Sequence, residues 1–346
     1  MKQHRIKPKR RLTALLTAFC LLLSVLPISS LPVLAANGTL EGDGTEESPY
    51  QIADGDDLKA FRDLVNGGAN DAWAVLTADI DLNPGYTFNT DGTYTGGTAP
   101  EQWTPIGKYN TVTDYLAYTG TFDGQGHTIS GLYINIDEDD ISSNQNFGLF
   151  SYLGSGGVIQ NLGLVNSLVR TDERNMIVAG VVAHLDGAVQ NCYNAGFVSG
   201  LTAVGGVVGN NNIGAIENCY NTGTVSGGKD ARVGGIVGFN NRGIIKNCYS
   251  TGMVSSVESA YVGGVAGLVS NGTVTNCYYL DTCGKSDMGT AVTIAQIEDT
   301  GENGLLAKLA DGSGEGVWNT TLSSVGSWEY GKPVIQPVLT WQTPIQ

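Results

Sequence analysis

Four near-copies of one phrase occupy the second half of the chain, and they constrain the fold more than anything else in it. The phrases begin Val178-Ala179-Gly180-Val181-Val182-Ala183, Val204-Gly205-Gly206-Val207-Val208-Gly209, Val233-Gly234-Gly235-Ile236-Val237-Gly238 and Val262-Gly263-Gly264-Val265-Ala266-Gly267. Each runs on to an Asn-Cys-Tyr triplet, at Asn191, Asn218, Asn247 and Asn276, so the period is 27, 29 and 29 residues. A unit of that length cannot bury its own apolar face, so the units must stack on one another. Asn161 stands 30 residues before Asn191 in a degenerate copy that opens at Phe147, and residues 119–135 read as a still earlier turn.

The columns within a repeat point to strands. Gly187, Gly214, Gly243 and Gly272 align at a turn, and Val189, Ile216, Ile245 and Val274 follow two residues later. The intervening polar residues Gln190, Glu217, Lys246 and Thr275 vary, which is the period-2 alternation of a half-buried strand. Val198, Val225 and Val254 add a third apolar column. The paired glycines and scarcity of good helix formers oppose short helices. The expected fold is all-β, a right-handed parallel β-solenoid of about five or six turns with three short strands per turn. With coils about 4.8 Å apart, it would rise only about 25–30 Å.

The flanks differ from the repeats. Residues 1–36 have a basic start (Lys2, Arg5, Lys7, Lys9, Arg10, Arg11), an apolar run from Leu12 to Leu26 and small residues at Ala35 and Ala36. That is the layout of a secretory signal peptide; a retained N-terminal anchor is the alternative. No later stretch is long and apolar enough to span a bilayer. Residues 37–118 read as an N-terminal capping segment, with Asp54 or Asp56 capping a helix of Leu58, Phe61, Leu64 and Val65 that stops at Gly67-Gly68. Short strands follow at Ala74–Leu76 and Ile80–Leu82, then a loop over Asn83–Ala99. Residues 119–285 carry the solenoid. Residues 286–346 read as a small exit cap, with helical spacing at Ile294, Ile297, Leu305, Leu306 and Leu309 and strands around Trp318, Trp328, Val334, Ile335, Leu339 and Trp341.

Loss of the leader removes six of the 18 basic residues and none of the 33 acidic ones, deepening a formal net charge of −15 to −21. Such a surface repels nucleic-acid backbones and suits solubility outside a cell.

Stacked identical residues invite both structural and functional readings. The asparagines at 161, 191, 218, 247 and 276 suit corner positions that bond backbone and neighbouring amides. Cys192, Cys219, Cys248 and Cys277 form the next column. A line of sulfurs cannot surround a tetrahedral zinc. Disulfides between adjacent turns are sterically conceivable but poorly aimed, and a packed column of reduced thiols is the third reading. Cys283 lies outside the column and could pair with Cys277. Tyr193, Tyr220, Tyr249 and Tyr278 come next; they form either an exposed ligand-binding stripe or a self-stacking ladder that closes one face.

No residue announces chemistry. His127 and His184 have no patterned partner, and neither a His-Glu-x-x-His nor a Gly-x-Ser-x-Gly is present. The acidic run Asp137-Glu138-Asp139-Asp140 reads as a solvated loop or a weak Ca²⁺ site, and paired carboxylates of a polysaccharide-cleaving β-helix are the catalytic alternative. No other cofactor or metal is expected.

The repeat Val-Gly-Gly-Ile-Val-Gly…Gly-Ile-Ile-Lys-Asn-Cys-Tyr-Ser-Thr-Gly-Met-Val of 233–254 resembles the GLUG-motif repeat of bacterial secreted and surface proteins. The likeness extends to Gly44-Thr45-Glu46-Glu47-Ser48-Pro49-Tyr50-Gln51-Ile52, Leu76-Thr77-Ala78-Asp79-Ile80-Asp81-Leu82, Trp103-Thr104-Pro105-Ile106-Gly107 and Thr121–Leu132, covering about residues 42–282. Such segments occur in adhesin-like proteins and beside the catalytic part of IgA1-specific metallopeptidases. The resemblance implies a β-helical, non-catalytic segment with no catalytic residues to carry over. The expectation is a secreted or surface-exposed monomer, not an enzyme, that recognises a glycan or protein ligand. The alternatives are a polysaccharide lyase or glycosidase and a purely structural spacer.

Overall fold

Every strand of the repeat hydrogen-bonds to its counterpart one period away, so the coil is built almost wholly from contacts between successive turns. The computed structural model describes residues 40–342, apart from 112–113, 137–145, 259–260, 285–287, 314–315 and 330–331. The predicted signal peptide and the acidic run Asp137–Asp140 lie outside the described residues. The fold is a parallel β-solenoid of about five coils, with five sheets running along it, two of eight strands and three of five.

Each coil therefore has five strands, not three. The coil from Val158 runs through Val158–Gln160, Gly163–Leu164, Leu168–Thr171, Ile177–Ala179 and Val182–Leu185. The next coil lies on it in register, with Val158 beside Ala188, Gly163 beside Tyr193, Leu168 beside Phe197, Ile177 beside Ala203 and Val182 beside Val208. The undercount has a local cause. The run Val204–Gly209 is continuous in sequence but bends at Gly205-Gly206, so it contributes to two sheets. A Cβ on Gly180, Gly206 or Gly235 would collide with the carbonyl of the following coil's equivalent glycine and with Asn194, Asn221 or Ser250. The second glycine of the phrase is thus a spacing requirement between coils.

Stacking also begins before Thr119. Tyr50–Ile52 pairs with Ala74–Leu76, which pairs with Thr121–Asp123. Helix α1, Gly55–Asn66, lies between the first two of these strands in sequence. Asp54 caps it, accepting from the amides of Asp56 and Asp57 at 3.0 Å, and Gly67 ends it. Its buried residues are Leu58, Phe61 and Val65. Phe61 meets Tyr118 and Phe122 at ring separations of 5.9 and 5.8 Å, joining the helix to the solenoid core.

The corner asparagines hold the coil in register. Asn161, Asn191, Asn218, Asn247 and Asn276 all sit in the left-handed region, with φ between 52° and 54°. Asparagine tolerates that region better than most residues. Their side chains form one ladder. Asn191 donates to Asn161 at 3.1 Å, Asn218 to Asn191 at 3.2 Å, Asn247 to Asn218 at 3.2 Å and Asn276 to Asn247 at 2.8 Å. Asn161 donates to the Asp123 carboxylate at 3.0 Å, and Tyr278 donates to the last oxygen, on Asn276, at 2.6 Å. The aligned amide dipoles thus end on an anion at their donor end, where negative charge is best placed. A second ladder inside the coil runs the opposite way: Asn194 donates to Asn221 at 2.9 Å and Asn221 to Ser250 at 3.4 Å.

The cysteine column points inward. Cys192, Cys219, Cys248 and Cys277 are buried, and none of these four is in a disulfide. Each column thiol donates to the carbonyl two residues back at 3.1–3.2 Å. Cys283, offered as a partner for Cys277, instead donates to the Thr251 carbonyl at 3.1 Å.

The C-terminal segment departs most from its predicted place. Helices α2 (Ile294–Ile297) and α3 (Leu305–Ser313) and the antiparallel pair Trp318–Glu329 and Lys332–Leu339 return along the side of the coil. Gly312 and Lys308 accept from Asn247 and Asn276, and Trp341 reaches Tyr193 and Gly126, near the beginning of the stack.

Two substitutions at Asn218 separate the two duties of the corner. Asn218→Gly keeps the left-handed backbone accessible but breaks two rungs, and should cost about 1–3 kcal/mol. Asn218→Ala adds about 1–2 kcal/mol of left-handed strain. Denaturant unfolding should rank wild type above Gly above Ala; equal stabilities would show that the ladder does not fix the corner.

Candidate functional site

The tyrosines singled out from the sequence do point away from the cysteines, yet they are not exposed. Tyr193, Tyr220, Tyr249 and Tyr278 are at most 9 % exposed. The rings of Tyr193, Tyr220 and Tyr249 stack at 4.8 and 5.1 Å, within 3° and 5° of parallel. Trp318 packs against Tyr220 and Tyr249, and Trp341 covers Tyr193. The Tyr220 hydroxyl donates to Gln342 at 2.8 Å and that of Tyr249 to the Pro337 carbonyl. The returning C-terminal segment therefore occupies the face that a ligand would need. Burial pushes the Tyr193 phenol up to about 12 and those of Tyr220 and Tyr249 well above 10. It also raises the thiols of Cys219, Cys248 and Cys277.

The two histidines have separate structural surroundings. His127 lies 3.4 Å from Asp79. His184 is stacked on Tyr109 at 5.2 Å and meets Tyr152 edge-on at 4.8 Å. Its ring is 3.9 Å from Asp186, and burial lowers its pKa in opposition to that carboxylate. Asp186 accepts from the Tyr152 hydroxyl at 2.6 Å and from Asn212 at 2.9 Å. Burial, then this bond to Asp186, holds the Tyr152 phenol protonated far into alkali. The cluster ties the antiparallel strands Lys108–Thr111 and Asp114–Leu116 to the coil. Among the described residues, no group of three or more His, Cys, Asp or Glu side chains is placed to hold a metal ion.

An open groove lies elsewhere, on the outer face of the sheet that contains Leu168–Thr171. The segment read as a loop forms a hairpin, Thr87–Phe88 against Tyr94–Thr95. Asn166, itself at φ 41°, fastens it: its side chain donates to the Tyr86 carbonyl and accepts from the Phe88 amide, both at 2.9 Å. Phe88 stacks on Tyr133 at 5.6 Å, and Tyr94 meets the same ring edge-on at 5.6 Å. Gly92 at φ 81° lets the hairpin tip approach Phe197; a Cβ there would lie 2.9 Å from that ring. The groove holds about 320 Å³ and is lined by Thr93, Tyr94, Tyr133, Asn135, Leu168 and Arg170. That volume is at the lower end of the range for small-molecule sites.

The groove's wall and rim are polar but close to neutral. Arg170 pairs with Asp172 through two nitrogens, at 2.6 and 3.3 Å. The Gln102 side chain donates to the Asn135 carbonyl at 2.7 Å and accepts from its amide at 2.9 Å, which holds the Asn135 backbone at the groove's rim. None of these residues belongs to the repeated phrases. The only sequence signal was the concentration of tyrosine near the hairpin, and its partners are contributed by two different coils.

A solenoid of stacked, asparagine-cornered coils defines a β-helical repeat protein. Two of its repeats, residues 200–226 and 230–257, match the family described as "The GLUG motif". Halomucin of Haloquadratum walsbyi is 35 % identical over 179 residues, 52 % of this chain and 2 % of that protein. The "Putative Gly-rich membrane protein" of Evansella cellulosilytica is 27 % identical over 150 residues, 43 % of this chain and 15 % of that protein. This chain thus spans a small part of either relative. A crystal structure of a "putative immunoglobulin A1 protease" from Bacteroides ovatus superposes with a TM-score of 0.61 at 19 % identity, over 87 % of this chain and 95 % of that one. At that identity the likeness establishes the shared fold alone. Among the described residues, no helix is long and apolar enough to cross a membrane.

Gly92→Ala should loosen the hairpin while sparing the coil, seen as faster amide exchange at Phe88 with an unchanged global unfolding transition. Buried neutral thiols and phenols also set an alkaline limit. Above their ordinary values near 9 and 10 the unfolded chain has lost protons that the native chain retains, so stability falls as pH rises. Melting temperature should be flat near neutrality and decline above about pH 9. Tyr249→Phe should lessen the decline, at a cost of about 1 kcal/mol at neutral pH.

Proposed function

We propose that this chain is an extracellular or cell-surface recognition module, non-catalytic, that binds a glycan or protein ligand in the groove beneath the 87–95 hairpin. The observation that carries this reading is the preassembled groove, whose hairpin is bound to the coil by Asn166 and by aromatic packing before any ligand arrives. A rigid, preorganised site loses little entropy on binding. The coil supplies that rigidity, since its corners and interior are hydrogen-bonded from turn to turn.

The carboxylates nearest the coil's polar clusters support the non-catalytic reading. Asp123 is the terminal acceptor of the asparagine ladder, and Asp186 is committed to Tyr152 and Asn212. A general acid or base needs a proton-transfer partner in the substrate, and these oxygens are occupied by the protein itself. The negative formal charge of −15 disfavours anionic polymers as ligands. The names of the two sequence relatives, a halomucin and a membrane protein, support a location at or beyond the cell surface.

Arrayed glycans and extracellular-matrix proteins provide the test. The wild-type chain should retain a ligand, and Tyr94→Ala should weaken retention at least tenfold, equivalent to about 1.4 kcal/mol, with the melting temperature unchanged. Failure of the folded protein to retain any ligand, or turnover of a polysaccharide, would overturn the reading.

A further inference from the structure

The groove does not end at the hairpin. Strand register places Asn135 beside Arg170, Arg170 beside Ser199, Ser199 beside Ser226 and Ser226 beside Ser255. Their neighbours Ile134, Val169, Val198, Val225 and Val254 are buried, so this column faces outward. Among the described residues, the side chains of Asn135, Ser199, Ser226 and Ser255 have no hydrogen-bond partner in the protein. A row of free hydroxyls, one per coil at about 4.8 Å spacing, therefore continues from the groove along the coil axis. The parallel column of Tyr133, Leu168 and Phe197 is apolar and lies under the hairpin.

We infer that this face binds a neutral, linear polysaccharide lying along the coil axis, anchored at Tyr94, Asn135 and Arg170 and extended over Ser199, Ser226 and Ser255. The inference rests on the recognition reading above and names the ligand class of the same groove. Three observations select a neutral glycan. A sugar ring has an apolar face for tyrosine and hydroxyls that both donate and accept, matching a carboxamide, a guanidinium and serines. Asp172 neutralises Arg170, and the chain is strongly acidic, so the site lacks the unopposed cation that an anionic polymer requires. A peptide is poorly suited, because the column lies on the face of a sheet whose backbone groups are already paired from coil to coil. A bound peptide backbone could not extend the ladder there, as it does at a sheet edge.

The repeated hydroxyl gives the proposal a distinctive readout, dependence of affinity on ligand length. Calorimetric titration of the full chain would use linear gluco-, xylo- and manno-oligosaccharides from disaccharide to hexasaccharide, with oligogalacturonate as the charged control. Affinity for one neutral series should rise with length. Tyr94→Ala should weaken every length at least tenfold. The triple substitution Ser199→Ala, Ser226→Ala, Ser255→Ala should abolish the gain with length and leave the shortest binder unchanged, with no loss of melting temperature. Absence of binding to all three neutral series, a length-independent affinity, or preference for oligogalacturonate would overturn the inference. A ligand from the arrays that is a protein or a charged glycan, and is lost in Tyr94→Ala, would sink this inference while leaving the recognition reading intact. A ligand unaffected by Tyr94→Ala would remove both.

Discussion

The structure depends on one repeated interaction, the hydrogen bonding of each coil to the next through backbone and corner side chains together. A coil alone has no partner for its strands and no cover for its valines and isoleucines. Once a second coil lies in register, every inward column closes at the same moment, and the corner asparagines fix the register. One residue of slippage would turn the apolar columns outward and break the ladder. This explains why a left-handed corner, costly for most residues, is occupied by asparagine five times: only a carboxamide accepts from one coil and donates to another while its backbone makes that turn.

A stack of this kind has ends and faces that need separate solutions. Helix α1 brings Phe61, Leu58 and Val65 to the first coils, where Tyr118, Phe122 and Phe150 extend the aromatic packing. The last residues of the chain treat a face instead. They run back beside the tyrosine ladder and insert Trp318 and Trp341 against it. A ladder of parallel tyrosines would otherwise be a large exposed aromatic stripe. The same surface that suggested a binding function in the sequence is thus consumed by intramolecular packing. Among the described residues, an opening lies on another sheet, where a short hairpin leaves part of the outer surface uncovered.

Much of this was legible before any coordinates. The 29-residue period, the inward apolar columns, the helix from Asp54 to Gly67 and the stacking of the asparagines all follow from residues that recur at fixed spacing or carry strong local signals. The number of strands per coil was not legible, because Gly205-Gly206 bends a run that reads as a single strand. The inner ladder of Asn194, Asn221 and Ser250 was also missed, since its third member changes residue type.

The sequence by itself determined the coil: which side chains face inward, where the corners fall and what stacks on what. These are short-range properties, and repetition multiplies a weak local signal until it dominates. Only the tertiary structure decided which outer surfaces are open. Tyr249 meets Pro337, Asn166 meets Phe88 and Arg170 joins Tyr94 in one groove. Those meetings join segments far apart in the chain by surface complementarity, which has no period and leaves no repeated trace in the order of residues.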